Sequence, residues 1–209
     1  MRPPDSWKNA RVTLAIAGVT SFVWLLTSFF GVVEPAVLWG GFVPARAGQA
    51  AQSAFAAPFF LTPLTYALIH GGWFHVGINL LMLLFCGRSV EGIVGGVGMI
   101  LLYILGALAA AAAYYLVDSD GVLPMFGASG AMSAVLGAFA MLFGRNKVRV
   151  ASPRLALALH ALWLMAAWIG LQFLLAIITR NLGAPLAVAG HIAGFLVGVL
   201  LTRPLLLLR

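Results

Sequence analysis

Charge is scarce in this sequence. Only 8% of its 209 residues are charged, against about 25% in an average soluble domain, while 63% are hydrophobic and the mean hydropathy is +1.06. Such a chain has too few polar side chains to cover a water-facing surface, which excludes an ordinary soluble domain. The composition predicts an all-α, polytopic membrane protein that lies in the lipid bilayer.

Acidic residues are the scarcest charged group, and their positions exclude two kinds of hydrolase. Neither glutamate, Glu34 or Glu91, stands beside a histidine, as the helix of a zinc protease requires. The aspartates Asp5, Asp118 and Asp120 lie at the N-terminus or in a predicted loop, which excludes an aspartyl dyad within the membrane. We therefore expect no metal and no cofactor.

Cysteine and internal repeats are also lacking. The single cysteine, Cys86, excludes an intramolecular disulfide and is expected to be a small buried hydrophobe. No repeat is visible, so the inverted halves typical of many secondary transporters are not indicated. The sequence carries no signal for an oligomeric state.

Long apolar runs divide the chain into six predicted spans within a single domain, 1–209. At about 20 residues per span, they cover 12–33, 64–87, 93–117, 129–144, 155–179 and 185–202. The first run is long enough to cross a bilayer and no small-residue cleavage site follows it, so we interpret it as a retained signal-anchor helix.

Basic residues predict the orientation of these spans. Ten of the twelve Lys and Arg flank alternate connections and both ends of the chain, whereas only Arg46 and Arg180 lie on the other side. By the positive-inside rule both termini are cytoplasmic. The net charge of +7 is thereby explained as a topology signal, and we expect no nucleic-acid partner. The aromatic connection 34–63 is predicted to lie in the outer interface.

Polar residues capable of chemistry converge at one depth in this topology. Spans two, four and six all enter from the non-cytoplasmic side, which brings Ser129, His191, His75 and Asn79 to one outer layer, with His70 near its edge. A serine at a helix start is more often an N-cap than a nucleophile. Its coincidence with histidines in one layer favours a serine nucleophile activated by a histidine.

Small residues allow the two helices that carry this pair to approach closely. Gly190, Gly194 and Gly198 form a ridge on span six, and span four offers Gly130 as part of a matching flat surface. Close approach is required for a Ser129–His191 hydrogen bond of about 2.6–3.2 Å. Without a buried carboxylate, the site would be a dyad.

An oxyanion formed at this site needs hydrogen-bond donors. Backbone N–H groups at the start of span four, around Gly127 and Ala128, point toward it, and the side chains of His75 and Asn79 can add two more. We expect an outward-opening hydrophilic cavity that these residues and His70 line.

These motifs resemble the rhomboid intramembrane serine proteases. The resemblance is carried by His70-x4-His75-x3-Asn79, by Gly127-Ala128-Ser129-Gly130, and by Gly190-His191-x2-Gly194-x3-Gly198, and Gly87-x3-Glu91-x3-Gly95 is similar to a structural element of the family. The motifs fall on separate spans in the family's order, and the six-span layout covers nearly the whole chain.

The resemblance implies a function for each part. It implies Ser129 as nucleophile, His191 as base, and His75, Asn79 and the Ser129 backbone as the oxyanion site. It also implies single-span membrane proteins as substrates and the fifth span as a lateral gate. We expect the protein in a bacterial inner membrane, with its site facing outward.

One position departs from the family pattern. Rhomboids commonly carry an aromatic residue four positions after the nucleophile, where this chain has Ser133. Another side chain such as Met132 or Phe195 could support the histidine ring, the Ser133 hydroxyl could bond His191, or the enzyme could be weakened. The alternative function is a non-catalytic rhomboid-like adaptor, which is expected to lack the serine or the histidine. A channel or transporter is a second rival.

Overall fold

The computed structural model describes residues 7–48, 55–144, 150, 152–179 and 184–207, and this part of the chain is helical. Its helices are α1 (Arg11–Phe29), α2 (Val33–Gly40), α3 (Thr62–Thr65), α4 (Trp73–Met82), α5 (Arg88–Val117), α6 (Ser129–Phe143), α7 (Pro153–Thr179) and α8 (Ala184–Leu207). Short 3-10 turns flank α3, and the π-helical segment Leu83–Gly87 joins α4 to α5. The prediction of an all-α fold is confirmed for these residues.

Three helical stretches in the described chain are long and apolar enough to cross a membrane. They are Arg11–Phe29, Trp73–Val117 and Val188–Leu207, and three shorter apolar helices accompany them. Large apolar side chains on their outer faces are exposed, for example Phe22 at 64% and Leu200 at 69%. Such surfaces are stable against lipid and unstable in water, so the chain is an integral membrane protein.

The second and third predicted spans have different boundaries in the structure. The expected helix over 64–87 is interrupted at 69–72, and α4 begins only at Trp73. The expected gap after Gly87 is helical, and the chain turns at Gly95, whose φ is +77°. A Cβ built on Gly87 lies 3.1 Å from Cε of Met99, which shows that the chain has reversed direction between them. Glycine permits this left-handed turn inside an otherwise apolar run.

The motif Gly87-x3-Glu91-x3-Gly95 joins the start of α1 to α5. The carboxylate of Glu91, only 3% exposed, accepts hydrogen bonds from the Val12 N–H at 2.9 Å, the Thr13 N–H at 2.7 Å and the Thr13 hydroxyl at 2.6 Å. The first N–H groups of a helix have no partner within it, so this distant carboxylate acts as the cap of α1.

The centre of the bundle is formed by α5, α6 and α8, with α7 packed mainly along α8. The small-residue contact expected between α6 and α8 is present at Gly194 and Gly198, whereas Gly190 faces Ala110 of α5. A Cβ added to Gly194 would contact the Gly130 carbonyl, and one added to Gly198 would contact the Ala134 carbonyl. These backbones therefore touch directly. Cys86 is 1% exposed, in agreement with its interpretation as a buried hydrophobe.

The first connection, predicted over 34–63, forms backbone hydrogen bonds with the segment before α6. Phe42 and Met125 exchange two backbone hydrogen bonds of 2.9 and 2.8 Å, and the Ala45 N–H donates to the Gly121 carbonyl at 3.0 Å. Residues 49–54 lie outside the described chain, as does the basic segment 145–149. The interfacial position of this connection stays a prediction.

Candidate active site

Ser129 is the first residue of α6, and the turn before it depends on Gly127. Gly127 has φ +104°, and its N–H donates to the Tyr66 carbonyl at 2.9 Å. Only glycine adopts this conformation without strain. A Cβ at position 127 would also lie 2.5 Å from Nε2 of His75. The glycine thus directs the chain into α6 and leaves space for the imidazole.

His191 lies on α8 within hydrogen-bond distance of Ser129. Its Nε2 atom is 2.7 Å from Oγ of Ser129, although the two residues are 62 positions apart in the chain. The distance depends on the glycine contacts between α6 and α8, because any larger side chain at Gly194 would force the two backbones apart. A hydroxyl and an imidazole at this separation form the geometry of an activated nucleophile.

A cavity of about 470 Å³ opens beside this pair. Ser129 and His191 form part of its wall together with Tyr66, His75, Ala110, Tyr114, the segment 123–127, Gly130 and Gly190. A water molecule occupies about 30 Å³ in the liquid, so the cavity can hold several waters or part of a peptide. The described residues that line it include no Asp, Glu, Lys or Arg, so only neutral dipoles and imidazoles can stabilise a developing charge there.

His75 and Asn79 lie on the same face of α4, as their spacing predicts, but at different depths. His75 lines the cavity, and its ring centroid is 5.7 Å from that of Phe126. Asn79 is 6% exposed, lies outside the cavity wall, and its Nδ2 donates to the His75 carbonyl at 2.9 Å. Asn79 therefore stabilises the turn of α4 that carries His75, and the second N–H and the Oδ1 atom of its amide remain for other partners.

His70 is buried behind His75, and the expectation that it lines the cavity is wrong. It is 1% exposed, and its ring meets that of His75 edge to face with centroids 5.0 Å apart. Its Nε2 accepts a long hydrogen bond of 3.4 Å from the Ala128 N–H. The interruption at 69–72 causes this difference, because His70 precedes α4 and turns inward instead of following the helix to its outer end.

Of the backbone N–H groups at 127–129, two already donate hydrogen bonds within the fold. The N–H of Gly127 is bonded to Tyr66 and that of Ala128 to His70. Of the predicted backbone positions, Ser129 opens the first turn of α6, where N–H groups have no acceptor within the helix. Of the three predicted backbone positions, this leaves the Ser129 N–H as a candidate donor for an oxyanion, beside the imidazole of His75 in the cavity wall.

Ser133 lies one turn beyond Ser129 and is 1% exposed. Its hydroxyl donates to the Ser129 carbonyl at 2.8 Å. Since a hydroxyl has one proton, Ser133 can interact with the His191 ring only as an acceptor. The fourth histidine, His160, lies away from the cavity beside Gly144.

Several aromatic residues near the site were not predicted from the sequence, among them Tyr66 and Trp168. Tyr66 lines the cavity, and its hydroxyl donates to the Ala107 carbonyl at 3.1 Å. Trp168 of α7 has its ring centroid 6.4 Å from that of His191 and stacks on Phe195. An aromatic residue in an apolar helix gives no sequence signal that separates a site neighbour from a lipid-facing side chain.

Comparison with known proteins agrees with the motifs. The family model described as Rhomboid domain matches residues 60–207. This range contains Ser129, His191, His75 and Asn79 and covers well over half of the chain. No curated protein matches the sequence. The resemblance drawn from the motifs is confirmed: the chain belongs to the rhomboid family.

Proposed function

We propose that this protein is an intramembrane serine endopeptidase that hydrolyses peptide bonds in or near the transmembrane segments of other membrane proteins. The observation that carries the proposal is the 2.7 Å separation of Ser129 Oγ and His191 Nε2 at the wall of a cavity. Membership of a family that consists mostly of intramembrane serine proteases supports the same conclusion.

The first half of the reaction follows from this pair. His191 Nε2 accepts the hydroxyl proton of Ser129 while Oγ attacks the carbonyl carbon of the scissile bond. The tetrahedral intermediate then collapses, and the leaving amine takes the proton from His191. This step leaves an ester between Ser129 and the amino-terminal part of the substrate.

The second half requires water. Within the cavity, His191 removes a proton from a water molecule that attacks the ester, and the proton returns to Ser129 as the acid product leaves. Water reaches the site through the cavity, which the side chains of Ser129, His191 and His75 line. Irregular backbone such as the segment before α6 is tolerated in a membrane only where protein or water surrounds it.

The negative charge on the carbonyl oxygen is stabilised in each half by the Ser129 N–H and by the His75 imidazole. His75 lines the cavity, and its Nε2 would lie 2.5 Å from a Cβ built on Gly127, two residues before Ser129. Asn79 stabilises the turn of α4 that carries His75 through its bond to the His75 carbonyl. Its second amide N–H can donate to the oxyanion. Loss of one such donor costs about 100-fold to 1,000-fold in the rate of acyl transfer.

Orientation and location complete the proposal. We propose six spans with both termini in the cytoplasm and the site open to the outside of a bacterial inner membrane. The distribution of Lys and Arg and the apolar helices support this arrangement. The substrates are then transmembrane proteins, which approach through the bilayer.

Cleavage of a tagged single-span protein in lipid vesicles tests the function. The wild-type protein is expected to produce two fragments, while Ser129→Ala and His191→Ala produce none. If the wild-type protein binds such helices and leaves them intact, it acts as the non-catalytic adaptor and the proposal fails.

A further inference from the structure

The imidazole of His191 lies beside an aromatic pair that takes no chemical part in the proposed reaction. The ring centroid of Trp168, on α7, is 6.4 Å from that of His191 at an interplanar angle of 56°. Trp168 also stacks on Phe195, with centroids 6.2 Å apart and planes within 18° of parallel. Phe195 follows His191 by one turn of α8 and is 2% exposed, so the ring on which Trp168 stacks is held in the core.

We propose that Trp168 is a positioning residue for His191, a role that rests on the proposed protease function. The histidine side chain has two rotatable bonds, and its Nε2 must stay near 2.7 Å from Ser129 Oγ. A rigid ring beside the imidazole removes rotamers that carry Nε2 away, at little cost in side-chain entropy of its own. A displacement of about 1 Å can lower a rate on the order of 100-fold.

Backbone and small groups make the contact between α6 and α8 one turn from the dyad. Where α6 meets α8 below the dyad, the neighbours of Gly194 are the Gly130 carbonyl and the Cβ of Ser133, which lies 3.1 Å from a Cβ built on that glycine. Small residues there bring Ser129 close to His191, but they cannot hold an imidazole ring by contact. The bulky partner instead comes from α7, which packs along α8.

The indole N–H of Trp168 indicates which property of the side chain matters. Its Nε1 atom is buried and has no hydrogen-bond partner among the described residues. A buried donor without a partner lowers stability, so the N–H is not the useful part of this side chain. The flat ring is the part that holds the imidazole. A phenylalanine at this position should therefore retain most of the function.

The helix itself provides a matched control. Trp163 lies on α7 five residues before Trp168 and is 65% exposed on the outer surface. Trp163→Ala removes the same side chain from the same helix away from the site. Differences between Trp163→Ala and Trp168→Ala therefore report the position of the ring rather than the loss of a tryptophan from α7.

The test compares full-length wild-type protein, Trp168→Ala, Trp168→Phe and Trp163→Ala in lipid vesicles. Measurements are kcat and KM for a tagged single-span substrate, the rate of inactivation by a fluorophosphonate, and the thermal unfolding midpoint. Trp168→Ala is expected to lower kcat and the inactivation rate by about 10-fold to 100-fold, with KM close to wild type. Because loss of the packed ring also lowers the midpoint, the rates are measured well below the midpoint of every variant. Trp168→Phe and Trp163→Ala should stay near the wild-type values.

Three results would overturn the positioning role alone while the wild-type protein remains active. They are equal rates for Trp168→Ala and Trp163→Ala, a Trp168→Phe variant as slow as Trp168→Ala, or a fall in kcat matched by a change in KM. A wild-type protein that neither cleaves nor reacts overturns the proposed function, and this proposal with it.

Discussion

Replacement of Gly127 should damage the site without altering either residue of the dyad. Its φ of +104° is strained for any other residue, and an added Cβ would lie 2.5 Å from the His75 imidazole. We expect Gly127→Ala to lower the fluorophosphonate inactivation rate by about 10-fold or more, because the strain of about 1–3 kcal/mol displaces both Ser129 and His75.

Gly72→Ala is the matched control for that substitution. Gly72 precedes α4, has extended backbone with φ 174°, and a Cβ there meets nothing within 4 Å. Its inactivation rate should equal that of the wild-type protein. If both alanine variants react at the wild-type rate, the position of Gly127 is not important for the site.

The protonation state of His191 predicts the pH dependence. Nε2 can accept the Ser129 proton only when it is unprotonated, so activity is lost as the pH falls through the pKa of His191 and is regained as the pH rises. The measurement is the inactivation rate as a function of pH, with Ser129→Ala as the blank. A rate independent of pH across the acidic limb would mean that another group is the base.

Single residues differ in how well the sequence predicts their roles. Ser129 and His191 were predictable as a pair because a nucleophile and a base are rare in apolar helices and because glycines marked the contact between those helices. Trp168 was not predictable, since any aromatic residue is compatible with lipid. The burial of His70 and the bond from Asn79 to the His75 carbonyl depend on where α4 begins. Gly71 and Gly72 stand at that boundary, but glycine is frequent inside membrane helices and does not by itself mark an end.

At the scale of helices, the attachment of α1 to α5 depends on one carboxylate. Glu91→Gln keeps the shape of the side chain but removes the charge that accepts three hydrogen bonds from Val12 and Thr13. Bonds to charged groups are worth about 1.5–3 kcal/mol each, so the thermal unfolding midpoint should fall measurably, while the inactivation rate at low temperature should not.

Glu34→Gln provides the comparison for this change. Glu34 is the other glutamate of the chain and is exposed on α2. The same substitution there should leave the midpoint unchanged. Equal midpoints for the two variants would show that capping by Glu91 contributes little to the attachment of α1.

Helix positions were predictable where apolar runs have clear ends, and less so where helices follow one another without polar residues between them. The fourth run, expected over 129–144, is observed as Ser129–Phe143 because Ser129 and Gly144 mark its ends. By contrast, α4, the π-helical segment and α5 form one apolar stretch, and the turn at Gly95 is one glycine among many. A positive φ depends on tertiary packing, which composition does not encode.

At the scale of the whole molecule, the orientation in the membrane can be tested with cysteines. Cys86 is 1% exposed and should not react, so one introduced thiol at a time can be observed. Asp120→Cys, in the exposed turn before α6, should react with a membrane-impermeant maleimide in intact cells, whereas Arg203→Cys should react only after permeabilisation. The opposite pattern would reverse the proposed topology and direct the site to the cytoplasm.

The central claim, that Ser129 is a nucleophile activated by His191, is tested most directly by locating the adduct of a fluorophosphonate. The probe phosphonylates a serine Oγ whose proton has been removed by a base. Mass spectrometry of the digested wild-type protein should find the adduct on Ser129, and the adduct should be absent from His191→Ala. An adduct on another residue, or labelling that persists in Ser129→Ala, would contradict the account.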